Sequence, residues 1–173
     1  MAGEVTSHNG DYIRQDKRLI SGGNLFLLLV AVLMLFNLYL VFLWVPTEQN
    51  LGTSQRIFYI HVPLAWVGFL AFFIVFMSSI AYLISESERW DALAFSAAEL
   101  GVLFSSLLLI SGILWGKPVW GVWWTWDPRL TTTLILCLIY IGYLMLRAYA
   151  PRSSQAARYS AILGIIGFLD VPI

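Results

Sequence analysis

An uncharged apolar run from Leu25 to Val45 constrains this chain more than any other feature. Its length matches the roughly 20 residues that a helix needs to cross a bilayer. In hydrocarbon, an open segment can satisfy its own backbone hydrogen bonds only as a helix. Four further apolar segments follow, over residues 64–84, 93–114, 130–149 and 157–173. The charged cluster Glu86, Glu88, Arg89 and Asp91 separates the second from the third, and Arg147 with Pro151 stops the fourth. With 60% hydrophobic and only 12% charged residues, the chain has too little polar surface to cover a water-soluble core. The expected fold is all-α: a polytopic membrane helix bundle with five spans and a polar tail over residues 1–24. The first run follows that long tail and ends in Trp44-Val45-Pro46 rather than in small residues, so it reads as a retained anchor and not a cleaved leader.

The loop charges orient the bundle. Of the ten Lys and Arg residues, Arg14, Lys17, Arg18, Arg89, Arg147, Arg152 and Arg158 fall on one side, and only Arg56, Lys117 and Arg129 on the other. The positive-inside rule makes the first side, with the N-terminus, cytoplasmic. The outer connections are then residues 46–63 and the stretch from Trp115 to Leu130.

Several function classes drop out. A formal net charge of zero and the lack of any dense basic patch argue against nucleic-acid binding. Cys137 is the single cysteine, which excludes a disulfide framework, a CxxC pair, a cysteine zinc site and a CxxCH attachment motif. No phosphate-binding Walker sequence, serine–histidine pair or carboxylate cluster is present, so the chain is not expected to be an enzyme.

The outer stretch is unusual. Five of the eight tryptophans lie between Trp115 and Trp126, in Trp115-Gly116-Lys117-Pro118-Val119-Trp120-Gly121-Val122-Trp123-Trp124-Thr125-Trp126-Asp127. An interfacial aromatic belt accounts for Trp44, Trp66 and Trp90, but uses one or two tryptophans per helix end. Clustered indoles make a rigid apolar surface suited to a planar ligand. As a short interfacial helix, the stretch would pair Trp120 with Trp123 and Trp124, and Trp123 with Trp126 and Asp127. Gly116 and Gly121 permit close approach or tight turning. Lys117 and Arg129 flank the patch, either as partners for ligand carboxylates or as snorkelling anchors. Asp127 before Pro128 has the form of a helix N-cap with proline at the first helical position.

Trp120-Gly121-Val122-Trp123-Trp124-Thr125-Trp126-Asp127 fits the pattern W-G-x-x-W-x-W-D. On that pattern the chain resembles the cytochrome c assembly family with its tryptophan-rich WWD signature. With Trp115-Gly116-Lys117-Pro118 before it, Pro128-Arg129-Leu130-Thr131 after it, and Ile57-Phe58-Tyr59-Ile60-His61-Val62-Pro63 upstream, it is similar to the haem-exporter C branch of the bacterial cytochrome c maturation system. The likeness runs from about Leu19 to Ile173.

The resemblance implies haem b as a transient cargo, held at the periplasmic face of the bacterial inner membrane and passed to a periplasmic haem chaperone. It implies partners: an ABC-type ATPase and its membrane subunits, which would supply the ATP hydrolysis that this chain lacks. It places an axial histidine at His61, one of two histidines in the chain; the other, His8, sits in the polar tail. Imidazole is a common axial ligand of haem iron, and an aromatic surface beside it supplies contact with the ring face. Expected haem contacts are His61, Trp115, Trp120, Trp123, Trp124, Trp126, Asp127, Arg129 and, as a propionate partner, Arg56. The family pattern continues past Asp170-Val171-Pro172-Ile173 to a second outer histidine and a sixth span, so the sequence reads as the front part of such a protein. Glu99, inside the third span, is a functional candidate by its ionisable character, or else reaches the interface or a partner subunit. Two other functions remain open. A haem transporter proper needs polar or broken helices at mid-membrane, where these spans offer only Asn37, Glu99, scattered Ser and Thr, and glycines. A structural membrane subunit would use the tryptophans only to dock a periplasmic partner.

Overall fold

The computed structural model describes residues 22–149 and 154–171. The predicted tail with His8, Arg14, Lys17 and Arg18, and also Pro151, Arg152, Pro172 and Ile173, lie outside the described residues. Among the described residues five α-helices are formed: α1 (Gly22–Tyr39), α2 (Gln55–Ser85), α3 (Glu88–Trp120), α4 (Pro128–Tyr149) and α5 (Ser154–Phe168). A π-helical turn, Leu40–Trp44, extends α1. Among the described residues the extended pairing is confined to an isolated bridge between Glu48 and Gly52. The architecture is the all-α polytopic bundle expected of an apolar chain.

The described residues fall into two compact units, one ending at Pro46 and the other starting at Thr47. In the first, α1 is apolar on every side and buries none of its residues within the unit, as a helix solvated by lipid does.

In the second unit α2 packs along α3 and against α5, and α4 packs on α3 and α5. The α2–α3 connection is only Glu86 and Ser87; Glu86 takes a left-handed conformation (φ 53°) and donates its N–H to the Tyr82 carbonyl at 2.7 Å. Small residues let the two helices approach: Gly68, Ala71, Ser78 and Ser79 on α2, and Ala94, Ala97, Ala98, Gly101 and Ser105 on α3, are all buried. Small interfaces of this kind replace the hydrophobic drive that is missing between helices in lipid. The core around them is Phe72, Val75, Leu136, Tyr140 and Tyr143. At the end of this unit where α3 starts and α4 stops, Arg147 Nη2 donates to Asp91 Oδ2 at 2.6 Å, and Arg158 pairs with Glu86.

Among the described residues four helices are long and apolar enough to cross a membrane: Gly22–Trp44, Gln55–Ser85, Glu88–Trp120 and Pro128–Tyr149. The segment expected as a fifth span begins at Ser154 and is helical for 15 residues, after which turns occupy 169–171. Helix boundaries move outward most at prolines. Helix α2 begins at Gln55 and carries Pro63 in its interior, and α3 carries Pro118 and continues to Trp120. Proline does not end these helices because neighbouring elements can re-satisfy the freed backbone groups. The two connections expected on the outer side therefore shrink to 45–54 and 121–127.

Candidate functional site

Because α2 starts early, His61 is not a junction residue but lies in its second turn. Phe58, His61, Ala65 and Phe69 recur at helical spacing, so they share one stripe of α2. Leu108, Gly112 and Trp115 form the matching stripe on α3. Both stripes line a cavity of about 510 Å³, closed further by Trp120, Leu130 and Val171, and lined as well by Asp127, Arg129, Thr132 and Thr133. That volume is within the usual range for small-molecule sites. The His61 ring is partly buried against α3, with Nδ1 2.9 Å from the Ser111 hydroxyl.

The tryptophans divide into two groups. Trp115 and Trp120 stand on the last turns of α3 and meet edge to face, centroids 5.3 Å apart and planes at 84°. Phe58 approaches Trp115 at 6.3 Å. These two indoles line the cavity; Trp123, Trp124 and Trp126 are not among its lining residues. The expected helical pairing of Trp120 with Trp123 and Trp124, and of Trp123 with Trp126, does not form, because Gly121 ends α3. It takes φ 77° and donates its N–H to the Lys117 carbonyl at 3.0 Å, a left-handed cap that suits glycine. Residues 121–127 are then non-helical, and Trp124 packs edge-on against Trp126 at 5.5 Å. Trp123 and Trp126 are exposed, Trp126 by 77%.

Lys117 is also used locally. Its ammonium donates to the Gly121 carbonyl at 2.8 Å and sits 5.6 Å over the Trp123 ring, so it caps the end of α3. Asp127 caps α4: Oδ1 accepts from Leu130 N at 3.1 Å, Oδ2 accepts from the Thr125 hydroxyl at 2.6 Å, and its carbonyl accepts from Thr131 N at 3.1 Å. The Thr125 hydroxyl, then the Leu130 amide, hold this carboxyl below the usual carboxylate range.

Arg129 is exposed on the first turn of α4 and lines the cavity. Arg56, half-buried in the first turn of α2, is not among the lining residues. Glu99 is exposed on α3, well over two turns from the nearest α3 residue of the cavity. The loop leading into α2 is held by Glu48, whose carboxylate accepts from the Leu51 amide and from Asn50; those bonds, Leu51 first, lower its pKa.

The sequence model of one family, described as heme exporter protein C, matches residues 14–173 of this chain. The chain belongs to the heme exporter protein C family. A heme exporter protein C of Bradyrhizobium diazoefficiens is 38% identical over 74% of this chain and 49% of its own length. A putative cytochrome c biosynthesis ccmC-like mitochondrial protein of Marchantia polymorpha is 36% identical over 76% of the chain and 55% of its own length. The heme exporter protein C of Escherichia coli K12 is 33% identical over 74% and 52%. The chain thus spans about half the length of the curated heme exporter C relatives it matches.

What such a cavity can hold follows from its donor set. Among the described residues no group of three or more His, Cys, Asp and Glu side chains is placed to hold a bare metal ion. A lone imidazole suffices when the metal arrives with its four equatorial nitrogens already supplied by a macrocycle. The other walls are mostly apolar and aromatic, with the Arg129 guanidinium, the Asp127 carboxylate and the Thr132 and Thr133 hydroxyls on the α4 side, which suits an amphipathic planar ligand. The Trp115 indole N–H is buried without a hydrogen-bond partner.

Proposed function

We propose that this chain holds haem b transiently at the periplasmic face of the bacterial inner membrane and delivers it to a periplasmic haem chaperone during cytochrome c assembly. The observation that carries the reading is one juxtaposition: His61, Trp115, Trp120 and Arg129 converge on a single cavity. His61 supplies the axial nitrogen and the two indoles with Phe58 contact the macrocycle. Arg129 pairs with a propionate. Bound haem supplies the redox-active iron; the chain binds it, orients it and shields its apolar face from water.

The rest of the WWD segment has a different part in this reading. Trp123 and Trp126 are open beyond the cavity, and exposed aromatics rimmed by polar groups are the usual anchors of protein contacts. They are the surface offered to the chaperone. The placement of Arg147 and Arg158 at the opposite end of the second unit supports assigning the cavity to the outer side. An ABC-type ATPase and its membrane subunits provide the energy, and the chain itself catalyses no reaction.

Haemin titration of the chain in lipid nanodiscs tests this reading. A saturable Soret band is expected, with haemin affinity at least tenfold lower for Trp115→Ala and Trp120→Ala and little changed for Trp126→Ala. Absence of any Soret band from the intact chain would sink it.

A further inference from the structure

The direction of the His61–Ser111 hydrogen bond decides what the other ring nitrogen can do. The Ser111 hydroxyl has one proton and lies 3.0 Å from the Leu108 carbonyl, which can only accept. The same oxygen is 2.9 Å from His61 Nδ1. One arrangement satisfies both contacts: Ser111 donates to Leu108 and accepts the Nδ1–H of His61. A neutral imidazole so held carries its lone pair on Nε2. The next residue completes the seat. A Cβ on Gly112 would stand 3.2 Å from His61 Cε1, so any side chain there would crowd the ring away from α3. Both Ser111 and Gly112 are buried, while His61 itself reaches the cavity wall.

We infer that the Ser111–Gly112 step of α3 is a cradle that positions His61: Ser111 fixes the Nδ1–H tautomer and Gly112 gives the ring its place, leaving Nε2 bare toward the cavity as the iron-binding atom. The inference rests on the haem reading for the identity of the ligand, but not for the tautomer. Ser111 and Gly112 are positioning residues. They act through the imidazole, as hydrogen-bond partners of metal-bound histidines commonly do.

The test begins without haem. The chain carrying His8→Gln and ring-¹⁵N-labelled histidine, in nanodiscs, reports His61 alone by nitrogen NMR. Protonated Nδ1 and bare Nε2 are expected. Ser111→Ala should move the population toward the Nε2–H form, and Ser111→Thr, which keeps the hydroxyl, should restore it. An Nε2–H ring in the parent, or a tautomer indifferent to Ser111→Ala, overturns the cradle. Haemin titration then follows. Ser111→Ala should bind roughly tenfold to a hundredfold more weakly, with Ser111→Thr close to the parent. Gly112→Ala should shift the His61 ring resonances and weaken haemin binding in the same direction, and unchanged haemin affinity in both Ser111→Ala and Gly112→Ala counts against the cradle. If the parent shows the expected tautomer but binds no haemin, the haem reading fails while the cradle stands.

Discussion

Phe72 on α2 lies almost flat on Tyr140 of α4, ring centroids 4.0 Å apart and planes only 16° from parallel. Both rings are fully buried, and the Tyr140 hydroxyl donates to the Gly164 carbonyl at 2.9 Å, which ties α4 to α5. The stack fits because Gly101 of α3 has no side chain: a Cβ there would run into the Phe72 ring. Gly101→Val should therefore cost about 1–3 kcal/mol by overpacking. Tyr140→Phe, which keeps the stack and removes the hydroxyl, should cost about 0.5–1.5 kcal/mol. Reversible unfolding in mixed micelles measures both, and a larger loss in Tyr140→Phe than in Gly101→Val would mean that the hydroxyl matters more than the packing.

The Arg147–Asp91 pair joins the C-terminal turn of α4 to the first turn of α3, and its side chains are only 21% and 19% exposed. A double-mutant cycle with Arg147→Gln and Asp91→Asn should give a coupling of about 1.5–3 kcal/mol, as for hydrogen bonds to charged groups. The more exposed Arg158–Glu86 pair should give at most about 1 kcal/mol in the same cycle. Equal couplings for the two pairs would contradict the difference in burial.

Asp127 carries a pH dependence with a definite sign. Its folded carboxyl titrates below the ordinary value because the Thr125 hydroxyl and the Leu130 amide bind the ionised form. A lowered folded pKa adds stability that is fully present above the unfolded value, about 3.9, and is lost as pH falls through the folded value. Asp127→Asn should flatten the acid limb of the unfolding-temperature profile yet keep most of the cap, whereas Asp127→Ala should lower the unfolding temperature across neutral pH as well. An acid limb identical in Asp127→Asn and the parent would remove Asp127 as its source.

The division of the tryptophans predicts two separable phenotypes. Removing Trp115 or Trp120 takes aromatic surface from the cavity, worth about 1.5–3 kcal/mol per ring and hence roughly tenfold or more in haemin affinity. Trp123→Ala and Trp126→Ala should leave haemin affinity within about threefold of the parent, because neither ring lines the cavity. Equilibrium titration across the four variants checks this, and a uniform loss would mean that all the rings form one platform.

Much of the bundle is legible in the sequence, because lipid allows few backbone solutions and long uncharged runs such as Leu25–Val45 admit only a helix. Asp127-Pro128 also declares its cap, since that chemistry is local. Pro63 misleads: it closes the expected outer connection at 46–63, yet it sits inside a helix, and Pro118 likewise lies inside a helix that runs past the expected end of the third span at 114. Placing the start of α2 at Leu64 hides the stripe Phe58–His61–Ala65–Phe69, the signal that would have shown one wall of the cavity. The tryptophan pairing fails for a similar reason. It assumes a helix through Gly121, where the chain turns left-handed and re-aims every ring that follows. Ser111, Leu108 and Val171 come from elements distant in sequence, so no local pattern places them beside His61.

The central claim is that His61 Nε2 takes iron, and electron paramagnetic resonance of the ferric haem complex tests it most directly. The account predicts a histidine-ligated spectrum in the parent chain, its loss in His61→Gly with haem still retained by the aromatic walls, and its return when imidazole is added. A His61→Gly spectrum identical to the parent's, unaffected by imidazole, would contradict it.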